Sequence, residues 1–147
     1  MVKLYTIGFT EKSAEQFFTL LKNAKVKKIL DIRISNASQL AGFAKGSDLK
    51  YFAKEIGRMA YEHNLDLAPT KELMTSYRAK EISAKEFESA YLKLLKSRKI
   101  KQKIEVDKLH MTCLLCSEHL PDNCHRRVLA EYLKKLNKEI EIVHLVE

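Results

Sequence analysis

The apolar positions change period along the chain, and each change marks an element. Residues 2 to 9, Val-Lys-Leu-Tyr-Thr-Ile-Gly-Phe, are a short run rich in β-formers that stops near a glycine, as a strand does. Ser13-x-x-Gln16 has the spacing of a capping box, and Phe17, Phe18, Leu20, Leu21 and Ala24 then recur at helical spacing, which predicts a helix. Lys27 to Ile34 reads as a second strand through Ile29, Leu30, Ile32 and Ile34. Strand, helix and strand in succession predict a right-handed, parallel βαβ unit whose strands end at one edge of the sheet, with Gly8 and Arg33 as neighbours.

The middle of the chain is helical in pattern. Leu49, Phe52, Ala53 and Ile56 share one helix face and Gly57 is placed to terminate it. The next stretch reads either as more helix, through Ala60 and His63, or as a short strand with Met59, Tyr61 and His63 on one side; periodicity alone does not choose. A helix is predicted from Thr70, after Pro69, and another after the capping-box pattern Ser83-x-x-Glu86, with Phe87, Ala90, Tyr91, Leu94 and Leu95 as its buried stripe. That helix runs into Lys93, Lys96, Arg98, Lys99, Lys101 and Lys103, read as a solvated helix end favoured by the macrodipole. The last third repeats the opening plan: strand-like Leu109 to Cys116, a helix through Val128, Leu129, Tyr132, Leu133 and Leu136, and a final strand from Ile140 to Val146. The pattern is that of one α/β domain over residues 1–147, without linker or internal boundary.

Composition narrows this picture. The 147 residues are 46% apolar and 31% charged, as in one globular domain, and only 4 Gly and 2 Pro favour helices over an all-β fold. A net charge of +8 points to anionic partners, either a small phosphorylated or nucleotide-like ligand or nucleic acid. No apolar run approaches the roughly 18 residues of a membrane span, and Met1-Val2-Lys3-Leu4 enters a strand pattern directly, so a cytoplasmic location with no membrane partner is expected. The 3 Cys are then expected to be reduced thiols.

Ligands of open α/β sheets sit beyond the carboxyl ends of the parallel strands, so the residues leaving each strand are the candidates. They are Gly8 and Thr10, then Asp31 and Arg33, then Cys116, Ser117 and Glu118. The last loop leads into a helix opening with Asp122-Asn123-Cys124-His125-Arg126-Arg127. A helix N-terminus attracts anions and acidifies a thiol, which makes Cys124 and Cys116 candidate nucleophiles. Asp31 and Glu118 are candidate acids or bases, His125 a candidate neutral base, and Arg33 and Arg126 candidate anion holders. Asp31 and Arg33 also read as a local ion pair at an exposed edge, and Tyr61 and His63 as a hydrogen-bonded buried pair or as site residues. Zinc at Cys113-x-x-Cys116 conflicts with strand geometry, because residues three apart point to opposite faces, and Cys113 reads as a small buried hydrophobe. A three-ligand set of Cys116, Cys124 and His125 or Glu118 is not removed by that argument. Neither a Walker nor a GxGxxG sequence occurs, and Cys116 is too far from Arg126 in the chain for a compact phosphatase-type Cys-to-Arg loop. No cofactor is implied.

The string Leu115-Cys116-Ser117-Glu118, with Cys124-His125-Arg126-Arg127 and the helix to Tyr132, resembles the family called domain of unknown function 488. The resemblance extends to Thr6-Ile7-Gly8, Asp31-Ile32-Arg33, Tyr61-x-His63, Leu67 to Leu73 and Ile82 to Tyr91. It implies a strand at Tyr61-x-His63 and a three-layer α/β sandwich, Rossmann-like, with a mostly parallel sheet of about five strands. Cys116, Glu118, Cys124, His125 and Arg126 match the family's most characteristic motif. Phe9 stands where members often carry His, and Ser35 to Phe43 lacks the Pro-containing loop often found there.

Two functions follow as expectations. One is a cysteine-dependent enzyme acting on a phosphorylated or nucleotide-like substrate, or, in a redox variant, through a transient disulfide of the same thiols. The alternative is a non-catalytic nucleic-acid or nucleotide binding module, whose affinity comes from charge and needs no acidified thiol.

Overall fold

The computed structural model describes residues 1–37, 42–117 and 125–146. Five strands, β1 (Val2–Gly8), β2 (Lys28–Asp31), β3 (Ala60–His63), β4 (Thr112–Cys116) and β5 (Ile140–Leu145), form one sheet in the order β3-β2-β4-β1-β5, every pair parallel. The helices are α1 (Ala14–Asn23), α2 (Gly46–Gly57), α3 (Lys71–Arg78), α4 (Ala84–Ser97), α5 (Ile100–Lys103) and α6 (His125–Leu136). The stretch that periodicity left open is strand β3, an edge strand whose residues are only partly covered. The central strands β1 and β4 read as near-continuous apolar runs, and their burial explains why.

The order corrects the expectation that Gly8 and Arg33 lie on adjacent strands. β4 inserts between β1 and β2, so Gly8 pairs with Cys116 and Asp31 with Leu115. The two βαβ units interlock: β1 to β2 steps over β4 in one direction, and β4 to β5 steps over β1 in the other. Right-handed crossovers running in opposite directions place their helices on opposite faces. The core divides accordingly. Phe17, Phe18 and Leu21 of α1 and Leu49 and Ala53 of α2 pack with Ile7, Ile29, Cys113 and Leu115 on one face. Tyr91 and Leu95 of α4, Ile100 of α5, and Val128, Leu129 and Leu133 of α6 pack with Leu4, Leu30, Leu114 and Cys116 on the other.

Local signals set the helix starts. Ser13 with Gln16 and Ser83 with Glu86 form complete capping boxes, and Thr70 caps α3. The ends differ from expectation. α2 closes on Arg58 in the left-handed region (φ 54), with Gly57 still helical. The basic run after α4 is broken by Lys99, also left-handed (φ 57), so it is two helices and not one solvated end. Among the described residues no helix is long and apolar enough to cross a membrane.

Candidate functional site at the carboxyl edge of the sheet

β4 is flanked on both sides by strands whose connections leave to the opposite face, since α6 follows β4 whereas α1 and α2 follow β1 and β2. That reversal marks a topological switch point at the carboxyl ends of the strands, the place where ligands of such sheets bind. Cys116 and Gly8 are the last register pair there.

On the α6 face the polar groups converge on Arg126, the second residue of α6, which is 0% exposed. Its Nη1 donates to Cys116 Sγ at 3.2 Å and its Nε to Thr6 Oγ1 at 3.3 Å. Thr6 is also 2.6 Å from His144 Nδ1. An arginine only donates, so Thr6 Oγ1 accepts from Arg126; the direction of its bond to His144 is set by the imidazole tautomer. His125 places Nε2 2.8 Å from the Ile32 carbonyl, and a carbonyl only accepts, so the imidazole proton sits on Nε2 and the lone pair on Nδ1. The ring packs edge-on against Tyr91 at 5.5 Å. Burial holds this histidine neutral, with its pKa pushed down to about 4; Arg126 and Arg78 add to the shift, against the Ile32 hydrogen bond and Asp31.

On the α1/α2 face, Asp31 and Arg33 form a bidentate pair, Nε to Oδ1 at 2.8 Å and Nη2 to Oδ2 at 2.7 Å. The two side chains are 0% and 4% exposed, so this is a buried pair and not the exposed one expected. Arg33 also donates from Nη2 to the Ala44 carbonyl and lies 5.2 Å above the Phe9 ring, where a cation gains from the ring quadrupole. Its Nη1 is buried and has no hydrogen-bond partner among the described residues. Tyr61 donates to Asp31 Oδ2 at 2.6 Å and accepts from Asn36 Nδ2 at 3.1 Å. Burial, then the Asp31 bond, raises the Tyr61 phenol to about 12. Gly46 is needed beside it, because a Cβ there would overlap the Asn36 amide. His63 holds the Arg33 carbonyl through Nε2 at 2.7 Å.

The structure thus gathers the expected residues at one sheet edge but separates them by face. Cys116, His125 and Arg126 lie with α6; Asp31, Arg33, Tyr61 and His63 lie with α1 and α2. Strand alternation imposes the division, as it does for Cys113 and Cys116, which join opposite core clusters. Thr10 directs both its N–H and its hydroxyl to the Ser117 carbonyl, tying the β1 exit to the β4 exit. Glu118 and Cys124 lie outside the described residues. The expectation of reduced thiols is corrected: Cys116 is disulfide-bonded, and Cys113 is free and buried. Among the described residues no cluster of three or more His, Cys, Asp or Glu side chains is placed to hold a metal ion. His144 and Asn36 escaped the sequence reading, and Thr6 entered it only through the resemblance. His144 faces Thr6 only through the register of β5 on β1, a long-range fact with no signature in spacing.

Neither a curated protein nor a solved structure matches the chain. The family model described as Domain of unknown function DUF488 matches residues 13–133, from the start of α1 through the β2 exit and β4 into α6, and the chain belongs to that family.

Proposed function

We propose that this protein is a cysteine-dependent enzyme acting on a phosphorylated or nucleotide-like substrate at the carboxyl edge of its sheet. The observation that carries this reading is the Cys116 sulfur at the switch point, 3.2 Å from a buried guanidinium of Arg126. A fixed cation at that distance favours thiolate over thiol, and the thiolate is the nucleophile. With Cys116 disulfide-bonded, the nucleophile is released when a thiol reductant supplies two electrons and two protons and is itself oxidised to a disulfide. The buried, unpartnered Nη1 of Arg33 supports an anionic substrate. His125 is held neutral with its lone pair on Nδ1, which suits accepting a hydrogen bond from substrate; its lowered pKa makes it a weak base at neutral pH. Glu118 as acid or base and Cys124 as the alternative nucleophile or disulfide partner keep the roles that the motif suggests.

The test is the pH dependence of alkylation at each cysteine, read by peptide mass spectrometry on native protein after mild reduction. The midpoint on the pH axis reports thiol acidity, whereas the limiting rate at high pH reports access to the sulfur. Cys116 is expected to react with a midpoint well below the free-cysteine value of about 8.5. Cys113, whose thiol burial pushes strongly up, is expected to stay inert until the protein unfolds. A Cys116 midpoint at or above the free value sinks the nucleophile.

One observation favours the binding-module reading. Lys50, Lys54 and Arg58 line a groove of about 620 Å³ between α2 and the start of β3, a cationic row at helical spacing that suits phosphates. The lysine run after α4 suits them less. Arg98 is occupied by the carbonyls of Leu65, Asp66 and Ala68, and Lys103 pairs with Asp66. Nucleic-acid affinity that falls steeply with salt and is lost in Lys50→Ala/Lys54→Ala, but not in Cys116→Ser, would favour this second reading.

A further inference from the structure

Resting on the reading of Cys116 as the reacting thiol, we propose that Thr6 and His144 are positioning residues that hold the Arg126 guanidinium against the Cys116 sulfur.

Four side chains from four elements form one hydrogen-bonded line across the α6 face: His144 of β5, Thr6 of β1, Arg126 of α6 and Cys116 of β4. The register explains their meeting. Thr6 pairs directly with His144 on one side and with Leu114 on the other, and Cys116 is two residues beyond Leu114, hence on the same face. Gly8, the next residue of β1 on that face, presents no side chain beside Cys116. Arg126 enters this space from above, its head group between β1 and β4.

Direction along the line follows from donor chemistry. Arg126 Nε can only donate, so a Thr6 lone pair must face it; the 2.6 Å hydrogen bond between the Thr6 hydroxyl and His144 Nδ1 tethers that oxygen in place in either imidazole tautomer. Because the guanidinium is a rigid plane, fixing Nε fixes where Nη1 falls. Thr6 is itself rigid about χ1, being β-branched and 0% exposed. A residue without the hydroxyl leaves the cation free to tilt away from the sulfur. Thr6 and His144 are therefore linked to Cys116 through Arg126.

The experiment compares the alkylation midpoint of Cys116 in the reduced full-length protein with those of Thr6→Val, Thr6→Ser and His144→Leu. Thr6→Val keeps the shape and removes the hydroxyl; it is expected to raise the midpoint by about half to one pH unit, a roughly 3- to 10-fold fall in the thiol's acid dissociation constant. Thr6→Ser is expected to restore the wild-type midpoint, and His144→Leu to shift it upward by less than Thr6→Val does. A structural role alone would change unfolding and leave the midpoint in place. If wild-type Cys116 is acidic and both Thr6→Val and His144→Leu leave its midpoint unmoved, the positioning role is overturned while the enzyme reading stands. A wild-type Cys116 that is not acidic, and that Arg126→Gln does not shift, overturns both. Should Thr6→Val not fold, His144→Leu on the edge strand carries the same comparison.

Discussion

Arg33 folds back onto Asp31, two residues earlier in the chain, and closes a bidentate pair beneath the surface with Nη2 to Oδ2 at 2.7 Å. The Arg33 amide and the Tyr61 hydroxyl complete the carboxylate's partners. The pair terminates β2, and the Phe9 ring supports it from the end of β1 across the intervening β4. The charge at this edge is therefore anchored by side chains already engaged with one another, and Arg33 Nη1 is a buried donor without a hydrogen-bond partner among the described residues.

Removing one partner of a buried pair leaves the other uncompensated. Asp31→Ala is expected to cost on the order of 3–5 kcal/mol in urea unfolding. The apolar double variant Asp31→Leu/Arg33→Met is expected to cost less than Asp31→Ala, because no buried charge remains. A loss below about 1 kcal/mol for Asp31→Ala would show that water reaches the pair.

Tyr61→Phe deletes the hydroxyl that donates to Asp31 and accepts from Asn36. The expected loss is roughly 1–3 kcal/mol, the usual cost of leaving a buried polar atom unmet. In ultraviolet titration the folded protein should leave Tyr61 un-ionised between pH 9 and 11, since its phenol is raised to about 12, and Tyr91, whose phenol burial pushes strongly up, un-ionised with it. An unchanged tyrosine titration in Tyr61→Phe over that window is the supporting result; loss of an early-titrating group would contradict it.

His125 links stability to acid. Its folded pKa, about 4, lies below the ordinary histidine value of 6.5, so between those values the unfolded chain binds the extra proton and stability rises with pH. The full stability is present above about pH 6.5 and is lost as pH falls toward 4. Between pH 7 and 5 this group alone accounts for roughly 2 kcal/mol. His125→Gln, which does not titrate, should lose correspondingly less stability over the same interval in denaturant melts; an equal loss would remove His125 as the cause.

Arg58 occupies a left-handed C-cap (φ 54, ψ 37) that favours glycine. Arg58→Gly is expected to stabilise by about 0.5–1 kcal/mol, roughly 1–4 °C in Tm, whereas Arg58→Ala should give no such gain. Equal effects from both substitutions would mean that the side chain, and not backbone strain, governs the site.

Much of this protein was legible in its residues because the relevant physics is local. The capping boxes at Ser13 and Ser83 depend on a partner three residues on, and both form. Strand alternation depends on a period of two, and it alone predicted that Cys113 and Cys116 face opposite ways, as their separate clusters show. The polar exits of β1, β2 and β4 also followed from where apolar runs stop. Strand order did not, because a right-handed crossover is satisfied whether β2 lands beside β1 or one strand further on. Only burial of β1 and β4 at the centre chose the second arrangement. That choice moved Gly8 from Arg33 to Cys116, set Phe9 under Arg33, and brought His144 to Thr6. It also divided one expected cleft into two polar clusters, since which face a residue occupies is written in the chain but which strand stands beside it is decided by the packed sheet.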